Sequence, residues 1–274
     1  MPSLSSVASA SPDGVKFTAD TGFHGEVKRR VNEYFARTGL SQKASGHMYF
    51  KTAAILLWFG ASYALLIFGA ATWWQGVLVA LSLAFAMAGI GFAIQHDGNH
   101  GAYSKYGAVN RVMGMTLDMM GASSYIWQWK HNIAHHTFTN LSGADSDIDV
   151  PFGRLSPAQP QRRAHRFQQF YLWALYGLFV AYWNLFEDFE QLAKARIAGN
   201  RFPRPRGWRL VEMIGGKALF FGLAFVVPAL FHPWWAVLLF YAGTSAALSI
   251  ILIAVFQLAH SVEEASHPTL PPGS

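Results

Sequence analysis

Five of the eleven histidines of this 274-residue chain fall in two tight groups. The first is His96-Asp97-Gly98-Asn99-His100 and the second is His131-Asn132-Ile133-Ala134-His135-His136. Neutral imidazole is the commonest metal ligand, and residues four apart share one face of a helix. Each group therefore aims a pair of imidazoles at one point. Neither group carries the glutamate that serves as base in an HExxH zinc protease. The chain has no cysteine, which excludes disulfides, iron–sulfur clusters and thiolate zinc sites and leaves nitrogen and oxygen as donors. Nitrogen-rich sites suit iron, copper, nickel and zinc alike. One zinc ion is satisfied by four ligands, or by three and a water, so six or more histidines fit two metals better. His260 is a sixth candidate, four residues beyond the last apolar stretch. Two irons share the electrons needed to split dioxygen and to take hydrogen from an unactivated C–H bond.

The elements that must hold these groups are written in the composition. The chain is 52% hydrophobic and 13% charged, against about 25% charged for a soluble domain. Residues 53–71, 77–95, 214–231 and 233–256 are each long and apolar enough to cross about 30 Å of hydrocarbon. The first histidine group directly follows the second of these spans. Lys217 lies near the start of the third, where its side chain is expected to snorkel toward the interface. Residues 167–186 are also apolar and uncharged, but sidedness argues against a fifth span. With four spans, all 21 Lys and Arg fall on one side, apart from Lys217 near that same side. A fifth crossing would put the six basic residues from Lys194 to Arg209 on the wrong side and part His260 from the other histidines. The 167–186 stretch therefore reads as an aromatic helix at the cytoplasmic interface or packed on the cytoplasmic domain. The net charge of +6 then faces anionic lipid, and no nucleic-acid partner is implied.

The expected fold class is an all-α integral membrane protein: four transmembrane helices and a cytoplasmic helical cap that carries the histidines. Residues 1–45 read as a polar tail and cytoplasmic segment, without the basic start and apolar core of a signal peptide. Residues 46–274 read as the membrane domain. Both termini and the metal site are expected in the cytoplasm of a multi-pass protein of the bacterial inner membrane.

The two groups, HDGNH and HNIAHH, with WKHNIAHHTFTNLSGADSDIDV around the second and FQLAHSVEEA at 256–265, resemble the membrane fatty acid desaturases. The flanking sequence is similar to the bacterial branch of front-end, linoleoyl or Δ6-type enzymes. The resemblance covers about residues 45–268. It implies an oxygen-dependent desaturase that places a cis double bond in a fatty acyl chain. It implies two iron ions held by His96, His100, His131, His135, His136 and His260. It also implies a CoA- or lipid-linked acyl substrate in a tunnel between spans and cap, and an external electron donor of ferredoxin or cytochrome b5 type. A third histidine box is implied beyond His260, where this chain has fourteen residues and the single His267, so the chain reads as C-terminally truncated or as an inactive fragment. A hydroxylase or ketolase of the same superfamily, and a membrane haem or metal-binding protein, are the alternative readings.

Three lesser features carry expectations of their own. The run Asp145, Asp147, Asp149 lacks the glycine and glutamate of an EF-hand, with Val150 and Ser156 in their places, and reads as a solvated loop. Trp127, Trp129, Trp173 and Trp183 read as membrane-interface residues before acyl-channel residues. Asp97, Asn99 and Asn132 are candidates to orient the imidazoles from behind.

Overall fold

In the computed structural model, residues 22–142, 145, 147–148, 152–197, 200–260, 262 and 265–269 are described. Helix α1 (Phe23–Thr38) precedes the first span. Four helices are long and apolar enough to cross a membrane: α2 (Gly46–Gly69), α3 (Trp73–Asn99), α10 (Trp208–Ala229) and α11, whose apolar window is Trp234–Ala259. Between α3 and α10 lie α4 (Gly107–Gly114), α5 (Thr116–Met119), α6 (Ser124–Trp127), α7 (Gln168–Tyr176), α8 (Phe179–Tyr182) and α9 (Asp188–Lys194). A two-residue hairpin, β1 (Arg196–Ile197) with β2 (Asn200–Arg201), precedes α10.

The spans are four in number, as composition indicates, but their ends are set by caps. The Ser45 side chain accepts from the Met48 amide, which starts α2 well ahead of the apolar stretch. Thr72 and Gln75 form a reciprocal capping box that starts α3 at Trp73. The turns at one end of the bundle are tied together by the His232 ring nitrogen, 2.8 Å from the Ile67 carbonyl, and by edge-to-face packing of Phe68 on Phe231. Helix α3 packs between α2 and α11. Its small residues Ala84 and Ala88 meet Leu248 and Leu252 of α11, with Val180 of α8 in the same cluster.

The 167–186 stretch is not one helix. A 3-10 turn (Arg163–Phe167) leads into α7, the chain breaks at Gly177 and Leu178, and α8 runs into π-helical Trp183–Glu187 and α9. One side of this broken rod lies on α11, where the Val180 amide donates to the Ser249 hydroxyl at 2.8 Å. The other side leaves Phe170, Leu178 and Phe186 exposed. The packed alternative is thus the one observed.

Two expectations are corrected here. Trp127 and Trp183 are buried in one cluster with Ile90, Ile94 and Met120, so neither belongs to an interface belt. Lys217 does not snorkel. Helix α10 begins at Trp208, so Lys217 stands more than two turns inside it, and an acceptor set is close at hand. Its ammonium donates to the carbonyls of Gly121 at 2.6 Å and Asn184 at 3.0 Å and pairs with the Asp188 carboxylate at 2.8 Å. Asp188 in turn accepts from the Ser123 amide at 2.7 Å and the Trp183 indole at 3.1 Å. Beside it, burial pushes the Asp118 carboxyl up to about 7, with the charge of Asp188 adding to the effect.

Removing one partner of a buried pair leaves an uncompensated charge and costs about 3–5 kcal/mol. Lys217→Met is therefore expected to lower the thermal unfolding midpoint of the detergent-solubilised protein by several degrees. Lys217→Met/Asp188→Asn is expected to recover most of that loss, because no lone charge remains. A single variant as stable as the parent protein would refute the clamp.

Candidate metal centre

The first histidine group closes α3. The helix widens to a π-helix at Gly91–Gln95, and His96 and His100 follow on the next turn, with the His100 amide on the His96 carbonyl. Such bulges recur at functional sites because they rotate the side chains that follow. Gly98 is required by close approach: a Cβ there would stand 2.5 Å from the Gly114 backbone nitrogen and 2.8 Å from the Asn110 carbonyl. Helix α4 thus lies directly on the first histidine turn.

The second group is built from its N-terminus. Ser123 caps α6 through its side chain while its own amide is held by Asp188, and the Ser124 amide is held by Asp118 at 3.2 Å. The helix continues as π-helical Gln128–His135 and a last turn, His136–Phe138. The sequence reading pairs His131 with His135. The π geometry also brings His136 round, so that its Nε2 lies 3.2 Å from Nε2 of His131. Two imidazole nitrogens bound to one ion by bonds of about 2.1 Å lie roughly 3 Å apart.

Two asparagines join the groups, and neither acts as an orienter of imidazoles. Asn99 accepts from Gln128 at 2.9 Å through its side-chain oxygen and donates to Gln95 at 2.9 Å and to the Gly114 carbonyl at 3.2 Å. Asn132 donates to the Asn99 carbonyl at 3.0 Å. Asp97 stays 3.7 Å from the His96 ring nitrogen, beyond hydrogen-bond reach.

The five imidazoles converge. Ring centroids of His96 and His100 are 4.4 Å apart, His100 and His131 5.3 Å, His100 and His136 5.0 Å, and His131 and His135 5.4 Å. Trp127 stacks on His131 at 4.3 Å and walls the cluster from the bundle interior. Among the described residues, two donor groups are placed to hold a metal ion: His96, His100 and His131, and His131, His135 and Asp147. The side chain of His260 lies outside the described residues; its backbone ends α11.

Burial and the neighbouring imidazoles push His131 down to about 2 and His100 down to about 4. At neutral pH both rings are uncharged and keep a lone pair for coordination. The Nε2 atom of His100 is buried without a hydrogen-bond partner among the described residues. An orphaned buried nitrogen facing other imidazoles fits a bound cation.

Asp145 is the functional residue that the sequence reading missed. It is 1% exposed, so the solvated-loop expectation is corrected. Both its oxygens lie on Nδ1 of His135, at 3.0 and 3.2 Å, and it also accepts from the amides of Asn140 at 2.8 Å and Asp147 at 3.0 Å. Burial opposes charge on both partners, yet their hydrogen bonds hold His135 above and Asp145 below their ordinary values. A carboxylate on Nδ1 fixes the tautomer and directs Nε2 toward a metal. The available signal was an acidic run directly after a histidine group that needs such a partner.

The sequence matches the fatty acid desaturase family over residues 71–274. The chain belongs to that family. Its relatives include the sn-1 linoleoyl-lipid 6-desaturases of Synechocystis sp., at 37% identity over 91% of this chain and 70% of that protein, and of Arthrospira platensis, at 34% over 92% and 69%. The acyl-lipid (8-3)-desaturase of Physcomitrium patens is 32% identical over 90% of this chain and 52% of that protein. The resemblance read from the two histidine groups is therefore borne out, and the matched region of this desaturase holds all five clustered imidazoles.

Asp145→Asn is expected to preserve the fold and to lower affinity for a divalent ion by roughly 10–100-fold, the usual effect of losing a ligand's partner. Co(II) or Fe(II) retained by the purified protein after equilibrium dialysis measures this. Unchanged retention would show that the carboxylate does not serve the imidazoles.

Proposed function

We propose that this chain is an oxygen-dependent acyl-lipid desaturase that introduces a cis double bond at a pair of irons, on a chain of the linoleoyl-lipid type. The observation that carries the reading is the convergence of five imidazoles from two separate segments at one end of a four-span bundle. His96, His100, His131, His135 and His136 would hold the irons, with His260 completing the set. When bound, the irons supply the oxygen activation needed to remove two hydrogens from neighbouring carbons.

The residues of the chain do the remaining work. Asp145 keeps Nε2 of His135 as the coordinating atom. Asn99 and Asn132 hold the two ligand segments in register. Trp127 covers the inner side of the centre and keeps water from the acyl chain. The identities of two relatives as linoleoyl-lipid 6-desaturases support a lipid-linked, already unsaturated substrate and attack at the sixth carbon. The distribution of Lys and Arg supports a cytoplasmic location for the histidine end, in a bacterial inner membrane. The electrons come from a separate ferredoxin or cytochrome b5 type donor.

The test is product analysis. In a bacterial host fed linoleate, expression of the protein is expected to yield an 18-carbon trienoate with a new cis bond at carbon 6, located by mass spectrometry of a double-bond derivative. His135→Ala is expected to abolish it. A hydroxylated product would replace the proposal with a hydroxylase, and a Soret band in the purified protein would replace it with a haem protein.

A further inference from the structure

A cavity of about 290 Å³ lies inside the bundle, walled by all four spans. At one end it reaches the turns at Thr72 and His232. At the other it is lined by Met87, Met119 and Met120, which pack on the cluster containing Trp127 and Trp183. Trp127 stacks on His131, so one layer of side chains separates the cavity from the histidines. Its walls are mainly apolar, which suits an alkyl chain.

Midway along α11, the apolar lining is interrupted. Tyr241 and Thr244 both line the cavity, and neither hydroxyl has a hydrogen-bond partner among the described residues. Thr244 is only 8% exposed. The Tyr241 ring is wedged against Phe225 at 4.7 Å and Phe220 at 6.1 Å, which limits where its hydroxyl can turn. A hydroxyl without a partner in a bilayer interior is costly, and each one calls for an explanation. A saturated chain offers no acceptor. A cis double bond offers the face of its π cloud, which accepts a weak hydrogen bond, and its bend brings that face toward one wall.

We propose that the cavity takes the methyl-terminal half of the acyl chain, and that Tyr241 and Thr244 select chains that already carry cis double bonds. This rests on the desaturase reading and adds to it the residues that set substrate class. The asparagine at 184 fits the same picture. It lines the cavity, and its amide donates to the Met120 carbonyl at 3.2 Å, so the polar stretch lies close behind the layer that covers the histidines.

Binding tests this without turnover. The purified protein in detergent is loaded with cis-parinaric acid, whose conjugated tetraene fluoresces in apolar sites and accepts energy from the ten tryptophans. Linoleate is expected to displace the probe at a roughly three- to tenfold lower concentration than stearate, the scale of two weak hydrogen bonds. In Tyr241→Phe/Thr244→Val the two concentrations converge, while the probe still binds. Ala224→Trp, which fills the cavity from α10, abolishes probe binding. Equal displacement in the parent protein, selectivity that survives the double variant, or undiminished binding in the tryptophan variant would each overturn the proposal. If linoleate is preferred but no new double bond forms in cells, the function fails and the binding inference stands. If desaturation proceeds without any preference, the reverse holds.

Discussion

The centre depends on one amide side chain. Asn99 sits between the two ligand-bearing segments with every polar atom of its side chain engaged, and its backbone carbonyl is taken by Asn132. The imidazoles themselves have little means of attracting one another. Neutral rings in a partly dry cluster repel any added proton, which is why His100 and His131 titrate so low. Something outside the rings must fix the two helices, and a buried amide with several satisfied hydrogen bonds does so directionally. Gly98 and Gly114 make this possible. A Cβ at Gly114 would stand 2.4 Å from the Asn99 side-chain oxygen, so the amide fits only against bare backbone.

A second support reaches the same helix from the membrane side. Lys217, inside α10, fixes Asp188, and Asp188 fixes the amide of Ser123, the capping residue of the helix that carries His131. Burying such a pair is not a source of net stability, since desolvation of two charges offsets their attraction. Its value here is positional. It joins a span, the broken rod of residues 163–194 and the entry to the second histidine group at one point. Asp118, on the neighbouring Ser124 amide, reinforces the same start of helix.

Much of this was legible in the amino-acid sequence, and the rest was hidden for physical reasons. Apolar runs report hydrocarbon length, so four spans follow from composition, but Ser45 and Thr72 decide where the helices begin. Histidine spacing reports a shared helical face, so the metal site follows as well. Lys217 misled because a lysine near a helix end has two outcomes, snorkelling or burial with a partner. The partner, Asp188, is distant in the chain. Asp145 misled for the same reason: an acidic run looks solvated unless one knows which imidazole lies against it. Trp127 and Trp183 carry no mark that separates a buried tryptophan from an interfacial one.

The π-helical turns explain how a linear pattern of histidines becomes a compact cluster. In an α-helix, residues five apart point about 140° away from each other, so His131 and His136 would diverge. A pattern with adjacent histidines at 135 and 136 would then waste one of them. Widening the helix over Gln128–His135 lets both flank the same line of sight from His131. The same device precedes His96 at Gly91–Gln95 and precedes Asp188 at Trp183–Glu187. Each wide turn gives up good backbone geometry, and each sits immediately ahead of a group that holds an imidazole or its support. The departures from ideal helix are therefore where the side chains are aimed, and the regular stretches between them serve to span the bilayer.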